Sequence, residues 1–281
     1  MGESFALTKN SLQRLLSRPR LYAALFFAVG FVLTCFFKVP PALAERGDKL
    51  QVAEPFLMFV GSKMPQLFLL ISFLLMLGDA PFFHEGMEIV AVRSSKRRWL
   101  SAQLRAALTV TLLWLLFLLA FTLLVFRGRL RFDNQWSPLM QAASRSPQGL
   151  SQLRVMSCAP CTETIIAETR PYQALGLALL VNMLLFACLY LWCAALNLWT
   201  KRSYGSALTV IFWAIHFALL LPLQADSAAV WASPMALADI HLLPITAAHV
   251  SFTVLYYLLQ IVLLQILCER RLRRMDMTKL G

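Results

Sequence analysis

Two cysteines, Cys158 and Cys161, form the clearest pair of reactive side chains in this sequence, within the stretch C-A-P-C. A pair at this spacing can close a small disulfide on an oxidising side of a membrane. A redox motif would need a helix N-terminus and a thioredoxin-like context, and neither is visible here. We therefore predict a local disulfide between Cys158 and Cys161. The remaining cysteines lie in or beside apolar runs and are predicted to be small core residues: Cys35, Cys188, Cys193 and Cys268.

Histidine and serine residues offer two further chemistries, and both patterns are incomplete. His84 and Glu85 begin the H-E-x-x-H pattern of zinc proteases, but Glu88 occupies the place of the second histidine. Ser206 and His216 could pair as nucleophile and base, yet they share one apolar run and no G-x-S-x-G motif is present. The phosphate-binding pattern G-x-x-x-x-G-K-[ST] is also missing. We predict no catalytic residue, no metal site and no cofactor in this chain.

A few polar side chains interrupt the apolar runs and keep one enzymatic alternative open. Such groups are costly in hydrocarbon and often mark function. They are Lys63, Asn182, His216, Gln260 and Gln265. Their spacing names no reaction, so a polytopic membrane enzyme stays an alternative without an assigned activity.

The composition indicates that lipid surrounds most of this chain. Of 281 residues, 59% are hydrophobic and 14% are charged, whereas soluble domains are about a quarter charged. A helix needs roughly 20 apolar residues to cross a membrane, and only helices satisfy the backbone within such runs. Six predicted spans result: 21–37, 56–77, 104–126, 175–198, 206–223 and 247–268. The predicted fold is an all-α polytopic membrane protein.

The net charge of +12 comes from 26 Lys and Arg against 14 Asp and Glu. The basic residues cluster before the first span, between the second and third, and after the sixth. The positive-inside bias then places both termini in the cytoplasm, with basic patches facing anionic lipids. No nucleic-acid-binding module is visible, so lipid and not nucleic acid is the expected partner of this charge.

Residues 1–19 are too short and too charged to span a membrane. Leu12 and Leu15 share one helical face while Arg14 and Arg18 lie on another, which predicts an interfacial helix on the inner leaflet. An alternative is a signal peptide cleaved near Ala42-Leu43-Ala44, but the apolar run is long for a signal core. We expect a retained span.

The loops on the other side of the predicted membrane differ in length. Pro40 and Pro41 are expected to hold the first of them extended. The second, residues 127–170, is the longest polar stretch and should hold only short surface helices. The third, residues 224–246, contains an apolar stretch too short to cross, which predicts short re-entrant or surface helices.

Residues 82–98, between the second and third spans, are more elaborate than a plain connection requires. Taken as a helix, residues 82–92 place Phe83, Met87 and Val90 on one face, with Glu85 and Glu88 along its edge. A basic run follows. An apolar and acidic face exposed to the cytoplasm is typical of a docking element.

This layout resembles the membrane subunit of an ABC-2-type transporter. The resemblance rests on an amphipathic N-terminal helix, six spans with both ends inside, and a helical loop between spans two and three. At the level of residues it rests on the stretch DAPFF…VRSSKRRWLSAQ, Asp79 to Gln103. Outer loop 127–170 is longer than the family pattern, so the resemblance does not define the outer gate.

The resemblance implies a bacterial cell-membrane permease that pairs with a second permease subunit, the same or homologous. A separate ABC ATPase subunit would bind ATP and Mg²⁺ and contact this chain through the coupling helix. The implied contact residues are Phe82, Phe83, Glu85, Met87, Glu88, Val90 and Arg93. Export of a peptide, a lipid or an amphipathic small molecule is the expected function. A ligand-sensing or immunity subunit is the other alternative.

Overall fold

The computed structural model of the protein describes residues 2–81, 95–146, 158, 160–200, 204–220, 234–241 and 246–274. Within these ranges the chain is almost entirely helical. The first half contains α1 Gly2–Leu16, α2 Pro19–Phe36, α3 Val39–Arg46, α4 Glu54–Val60, α5 Lys63–Leu77 and α6 Lys96–Val125. The second half contains α7 Pro138–Arg145, α8 Glu163–Glu168, α9 Pro171–Thr200, α10 Gly205–Leu220, α11 Pro234–Ala238 and α12 Ala247–Arg274. Two short parallel strands, β1 Leu50–Gln51 and β2 Leu130–Arg131, pair with each other.

The described helices include four that are long and apolar enough to cross a membrane. They are Pro19–Glu45, Lys96–Val125, Pro171–Thr200 and Ala247–Arg274. A fifth is reached if the bent pair α4 and α5 counts as one crossing. Helix α10, as described, is about 24 Å long, short of the roughly 30 Å of hydrocarbon. The all-α, membrane-spanning character is therefore shown, while the prediction of six spans is met by only four or five described helices.

Hydrogen bonds between helix ends show that the long helices alternate in direction. Asn197, near the end of α9, contacts Gly78, which follows α5. Lys96, at the start of α6, contacts Leu272, near the end of α12. We call this pole of the bundle the termini end, because α1 and the end of α12 lie there, and the opposite pole the loop end. The predicted N-terminal helix is present as α1 and packs against α6.

The predicted second span, 56–77, is two helices bent by 78° and not one continuous helix. Pro65 has no N–H to donate to the carbonyl of Gly61, so a single helix could not pass this point undisturbed. Two side chains bond to carbonyls in the last turn of α4. The Ser62 hydroxyl donates to Met58 O at 2.5 Å, and the Gln66 amide donates to Val60 O at 3.0 Å. Lys63 consequently begins α5 and is not inside a span.

The first outer loop is also helical where an extended chain was expected. Pro40 and Pro41 lie in the first turn of α3, so the expectation was wrong. The first turn of a helix tolerates proline because its N–H groups have no partner inside the helix. Gly47 then ends α3 with a positive φ of 71°. Glycine adopts this left-handed conformation without steric cost.

The core of the bundle is a cluster of aromatic rings from three helices. Phe73 of α5 stacks on Phe186 of α9 at 4.6 Å, and Trp114 of α6 meets Phe186 edge-on at 5.3 Å. Nearby, Ala24 of α2 lets α5 approach closely enough for the Ser72 hydroxyl to donate to its carbonyl at 2.9 Å. Helices in lipid usually pack through small residues at their contacts and through hydrogen bonds from polar side chains to the neighbouring helix.

Large apolar side chains cover the outside of the bundle. On α2, Phe26 is 81% exposed, and on α12, Leu255 and Leu259 are 65% and 61% exposed. Exposed apolar surface of this extent on long helices fits contact with hydrocarbon and not with water.

We expect Phe186→Ala to destabilise the bundle by roughly 3 kcal/mol, because it removes the ring that contacts both Phe73 and Trp114. Thermal unfolding in detergent measures the change. Phe117→Ala is the matched control: its ring is 38% exposed and stacks on Phe121, one turn along the same helix. Equal shifts in the two variants would contradict the assigned core.

Candidate functional site

The predicted coupling residues lie outside the described part of the chain. They are Phe82, Phe83, Glu85, Met87, Glu88, Val90 and Arg93. The structure does describe both ends of the segment that contains them, up to Pro81 on one side and from Ser95 on the other. Both described ends are attached to the bundle by hydrogen bonds.

Asn197 holds the chain that enters this segment. Its amide Nδ2 donates to Gly78 O at 3.0 Å and to Ala80 O, and its Oδ1 accepts from Gly205 N at 2.6 Å. The side chain is 8% exposed. A single buried amide thus joins the end of α5, the end of α9 and the start of α10.

Two longer side chains continue this connection to the other end of the segment. Arg271 Nε donates to Leu198 O at 3.3 Å, and Lys96 Nζ donates to Leu272 O at 2.9 Å. The three contacts pass through neighbouring residues, since 198 follows Asn197 and 272 follows Arg271. We call these three contacts, Asn197 to Ala80, Arg271 to Leu198 and Lys96 to Leu272, the carbonyl frame. Through it, residues 80 and 96 are both fixed to the ends of α9 and α12.

The termini end also concentrates charge. Arg20 forms an ion pair with Asp79, immediately before the frame. Partial burial lowers the pKa of Arg18, and the nearby Asp79 carboxylate opposes that shift. Arg97 pairs with Glu269 at 3.5 Å, with the arginine side chain 73% exposed. Exposed pairs contribute little stability, so the surplus of positive charge here remains available to anionic lipid or to a partner.

Two glycines allow the helices to meet at the frame. A Cβ on Gly205 would overlap Asn197 Oδ1, and one on Gly78 would lie 2.8 Å from Ser206 Cβ. Both approaches are closer than van der Waals contact, so no larger residue fits without movement. Glycine here is a requirement of close approach and not of backbone conformation.

At the loop end, a second polar cluster joins the predicted outer loops into a cap, formed by β1, α4, β2, α7 and α8. Glu54 is fully buried and accepts from Gln51 N at 2.9 Å and from Ser137 N and Oγ at 2.6 and 2.7 Å. Trp136 Nε1 donates to Thr169 O at 2.7 Å. The described residues of loop 127–170 are therefore held against β1 and α4 by buried hydrogen bonds.

The cap contains an open cleft of about 700 Å³. Charged and amide side chains line it, including Asp133, Gln135, Glu168 and Arg170. Glu168 and Arg170 are exposed to solvent. A cleft with both charge signs suits a small polar ligand better than a lipid tail.

The cysteines of the predicted local disulfide, Cys158 and Cys161, both carry free thiols in the structure. Cys161 is fully buried in the cap core. Burial raises its pKa well above the ordinary value, and the charge of Glu54 adds to the shift. The Cys158–Cys161 bond remains a prediction.

The polar residues considered for an enzyme do not meet at one place. Asn182 donates to Ala178 O within its own helix, while Gln265 contacts Ser101 and Glu269 near the termini end. Lys63 lies at the loop end, at the start of α5. Gln260 is on α12, and His216 is on α10, where only the backbone is described. Among the described residues, no group of three or more His, Cys, Asp or Glu could hold a metal ion.

Sequence reasoning missed the frame residues Asn197 and Arg271, whereas Lys96 lay within the predicted segment 82–98 and only its contact with Leu272 was not foreseen. Asn197 resembles Asn182 in the sequence, since both are single amides in one apolar run. Its distinction is the pair of close glycines, Gly78 and Gly205, which are remote in the chain and become its neighbours only after folding. Comparison with protein-family models, curated proteins and solved structures finds no match to this chain.

Gly205→Ala is expected to displace the Asn197 amide and lower the thermal unfolding midpoint by several degrees, because the new methyl group overlaps Oδ1. Gly30→Ala and Gly176→Ala are controls, since a Cβ at either position meets nothing within 4 Å. Alanine also favours a helix over glycine by about 1 kcal/mol, so the controls should gain stability. A Gly205→Ala protein as stable as the controls would contradict the close packing described.

Proposed function

We propose that this chain is the membrane-spanning permease subunit of an ATP-driven ABC transporter of the bacterial cell membrane, acting as an exporter. The termini end faces the cytoplasm, and the cap faces outward. ATP and Mg²⁺ bind a separate ATPase subunit, and a second permease subunit completes the pathway. The cargo class is a peptide, a lipid or an amphipathic small molecule. The chain itself performs no catalysis.

The observation that supports this proposal most directly is the carbonyl frame. It fixes both ends of residues 82–94 to α9 and α12 with buried or partly buried hydrogen bonds. A plain connecting loop needs no such anchorage. An element that transmits force does, because a movement at the segment must reach the spans without being lost in its attachments.

The frame suggests how that movement would travel. Pushing the segment displaces Ala80 and Lys96, and their hydrogen bonds carry the displacement to the ends of α9 and α12. These two helices pack against each other along the bundle. Gly78 and Gly205 are packed so closely against their neighbours that a displacement of α9 would also move α5 and α10.

The second candidate function is a ligand-sensing or immunity subunit, and the cleft in the cap favours it. Its volume of about 700 Å³, with Glu168 and Arg170 in the lining, could hold a small zwitterionic ligand on the outer side. Volumes of this order are common for small-molecule sites. Such a subunit would retain ligand affinity when no ATPase is present. A permease that uses the cleft only for release would show transport that depends on ATP.

The charge reversal Glu85→Lys with Glu88→Lys is expected to uncouple ATP hydrolysis from transport, since it reverses the acidic edge of the proposed contact. The chain, purified with the ATPase that accompanies it, is placed in lipid vesicles and both rates are measured. We expect transport to fall by at least tenfold per ATP hydrolysed, about 1.4 kcal/mol of lost coupling.

Glu45→Lys with Glu163→Lys is the matched control for that experiment, because it makes the same charge change at exposed positions of α3 and α8, at the opposite end of the molecule and outside the cleft. Unchanged coupling in the Glu85 and Glu88 variant would argue against the assigned contact. Failure of any ATPase to accompany the chain would argue against the transporter itself.

Asn197→Ala should also uncouple, because Gly78 O, Ala80 O and Gly205 N would lose their shared partner. Asn182→Ala is the control, as that amide donates to Ala178 of its own helix. We expect transport per ATP to drop severalfold in the first variant and to stay level in the second. Equal transport per ATP in the two variants would show that the carbonyl frame does not transmit the movement from the ATPase to the spans.

A further inference from the structure

The thiols of Cys35 and Cys158 lie in contact at the loop end of the molecule, although they are far apart in the chain. Cys35 is in the last turn of α2 and is 2% exposed. Cys158 belongs to the stretch between α7 and α8 and is partly exposed. The two side chains hydrogen-bond to one another. Cys158 therefore has a thiol partner that the C-A-P-C spacing did not suggest.

The surroundings of Cys158 make this contact a junction between three parts of the molecule. Its side chain also hydrogen-bonds to Ser62, in the break between α4 and α5. Cys161, the partner predicted from the sequence, is instead buried close enough to Glu54 to respond to its charge. The end of α2, the break and the second outer loop thus meet at Cys158.

We propose that Cys35 and Cys158 form a disulfide that latches the cap to the end of α2. A bond here would tie loop 127–170 covalently to the first span, beside the bend of the second. The inference rests on the orientation proposed above, which exposes the loop end to an oxidising compartment. It does not require the ATPase.

The oxidant is a disulfide of a thiol oxidoreductase or of a small oxidised thiol outside the membrane. The more exposed Cys158 thiolate attacks that disulfide, which forms a mixed disulfide and releases one thiol. The Cys35 thiolate then attacks Cys158 Sγ and displaces the second thiol. Two protons leave the cysteines, and two electrons reduce the oxidant to two thiols. The new bond brings the sulfurs to about 2.05 Å.

Trapping of thiols in intact cells tests the proposal. The cells are treated with N-ethylmaleimide before lysis, so that no bond can form or exchange afterwards, and the purified full-length chain is digested and analysed by mass spectrometry without reductant. We expect the Cys35 peptide linked to the Cys158 peptide. A Cys158–Cys161 bond, or maleimide on both Cys35 and Cys158, would overturn the proposal.

Matched variants separate the two possible bonds. Cys161→Ser should keep the Cys35 link, whereas Cys35→Ser should abolish it. Reduction with dithiothreitol should lower the unfolding midpoint of the natural chain by roughly 5 to 10 °C, because the bond closes a very long loop. The same treatment should leave Cys35→Ser unchanged. A shift in Cys35→Ser equal to that of the natural chain would contradict the latch.

Orientation is checked separately, so that its failure can be told from failure of the latch. In a Cys35→Ser, Cys158→Ser background the four remaining cysteines are buried. Lys49→Cys or Arg274→Cys is added, both at exposed positions. A membrane-impermeant maleimide should label intact cells at position 49 and not at 274. The reverse pattern overturns both the orientation and the latch, whereas the expected pattern without a Cys35–Cys158 bond overturns the latch alone.

Discussion

The amide of Asn197 is the interaction on which the termini end of this molecule depends. Inside a bundle surrounded by lipid, no water is available to replace a lost partner. Asn197 satisfies two carbonyls and one N–H at once, at the point where three helices end or begin. Aspartate would lack the donors, and no residue larger than glycine fits beside the amide at position 205 without movement. One amide therefore determines where residues 78 to 80 leave the bundle.

A single buried side chain also joins separate segments at the loop end, but there it accepts hydrogen bonds, whereas Asn197 mainly donates them. There a buried carboxylate, Glu54, accepts hydrogen bonds from Gln51 and Ser137, and so joins two of the predicted outer loops. Between these two poles the helices meet mainly through aromatic rings and small residues. The described bundle thus has a mainly apolar middle and a hydrogen-bonded polar cluster at each end.

The long helices could be predicted from the sequence because hydrocarbon imposes one simple pattern on them. The predicted runs 21–37, 104–126, 175–198 and 247–268 each correspond to one described helix. The run 56–77 was wrong as a single helix, although Pro65 within it carried the signal for a break. A span is assigned from the mean hydropathy of about 20 residues. A single proline barely changes that mean, although its missing N–H interrupts the helix.

The polar contacts could not be predicted, since each depends on residues far apart in the chain. Cys35 looked like a small core residue until folding brought it to Cys158. Asn197 looked like Asn182 until Gly78 and Gly205 surrounded it. The proposed docking segment, by contrast, was inferred entirely from its own pattern, and Glu85 and Glu88 lie outside the described residues. The structure shows how the two ends of that segment are attached, at residues 80 and 96, but does not describe its predicted contact surface.

The bend between α4 and α5 has a consequence for the surrounding bilayer. Helix α5 extends only about 22 Å, less than the roughly 30 Å of hydrocarbon. Helix α4 turns away from it by 78°. A helix shorter than the hydrocarbon is generally accommodated by local thinning of the bilayer, by snorkelling of flanking residues or by association with other helices. The bend thus favours hydrophobic mismatch on the side of the protein where α5 lies.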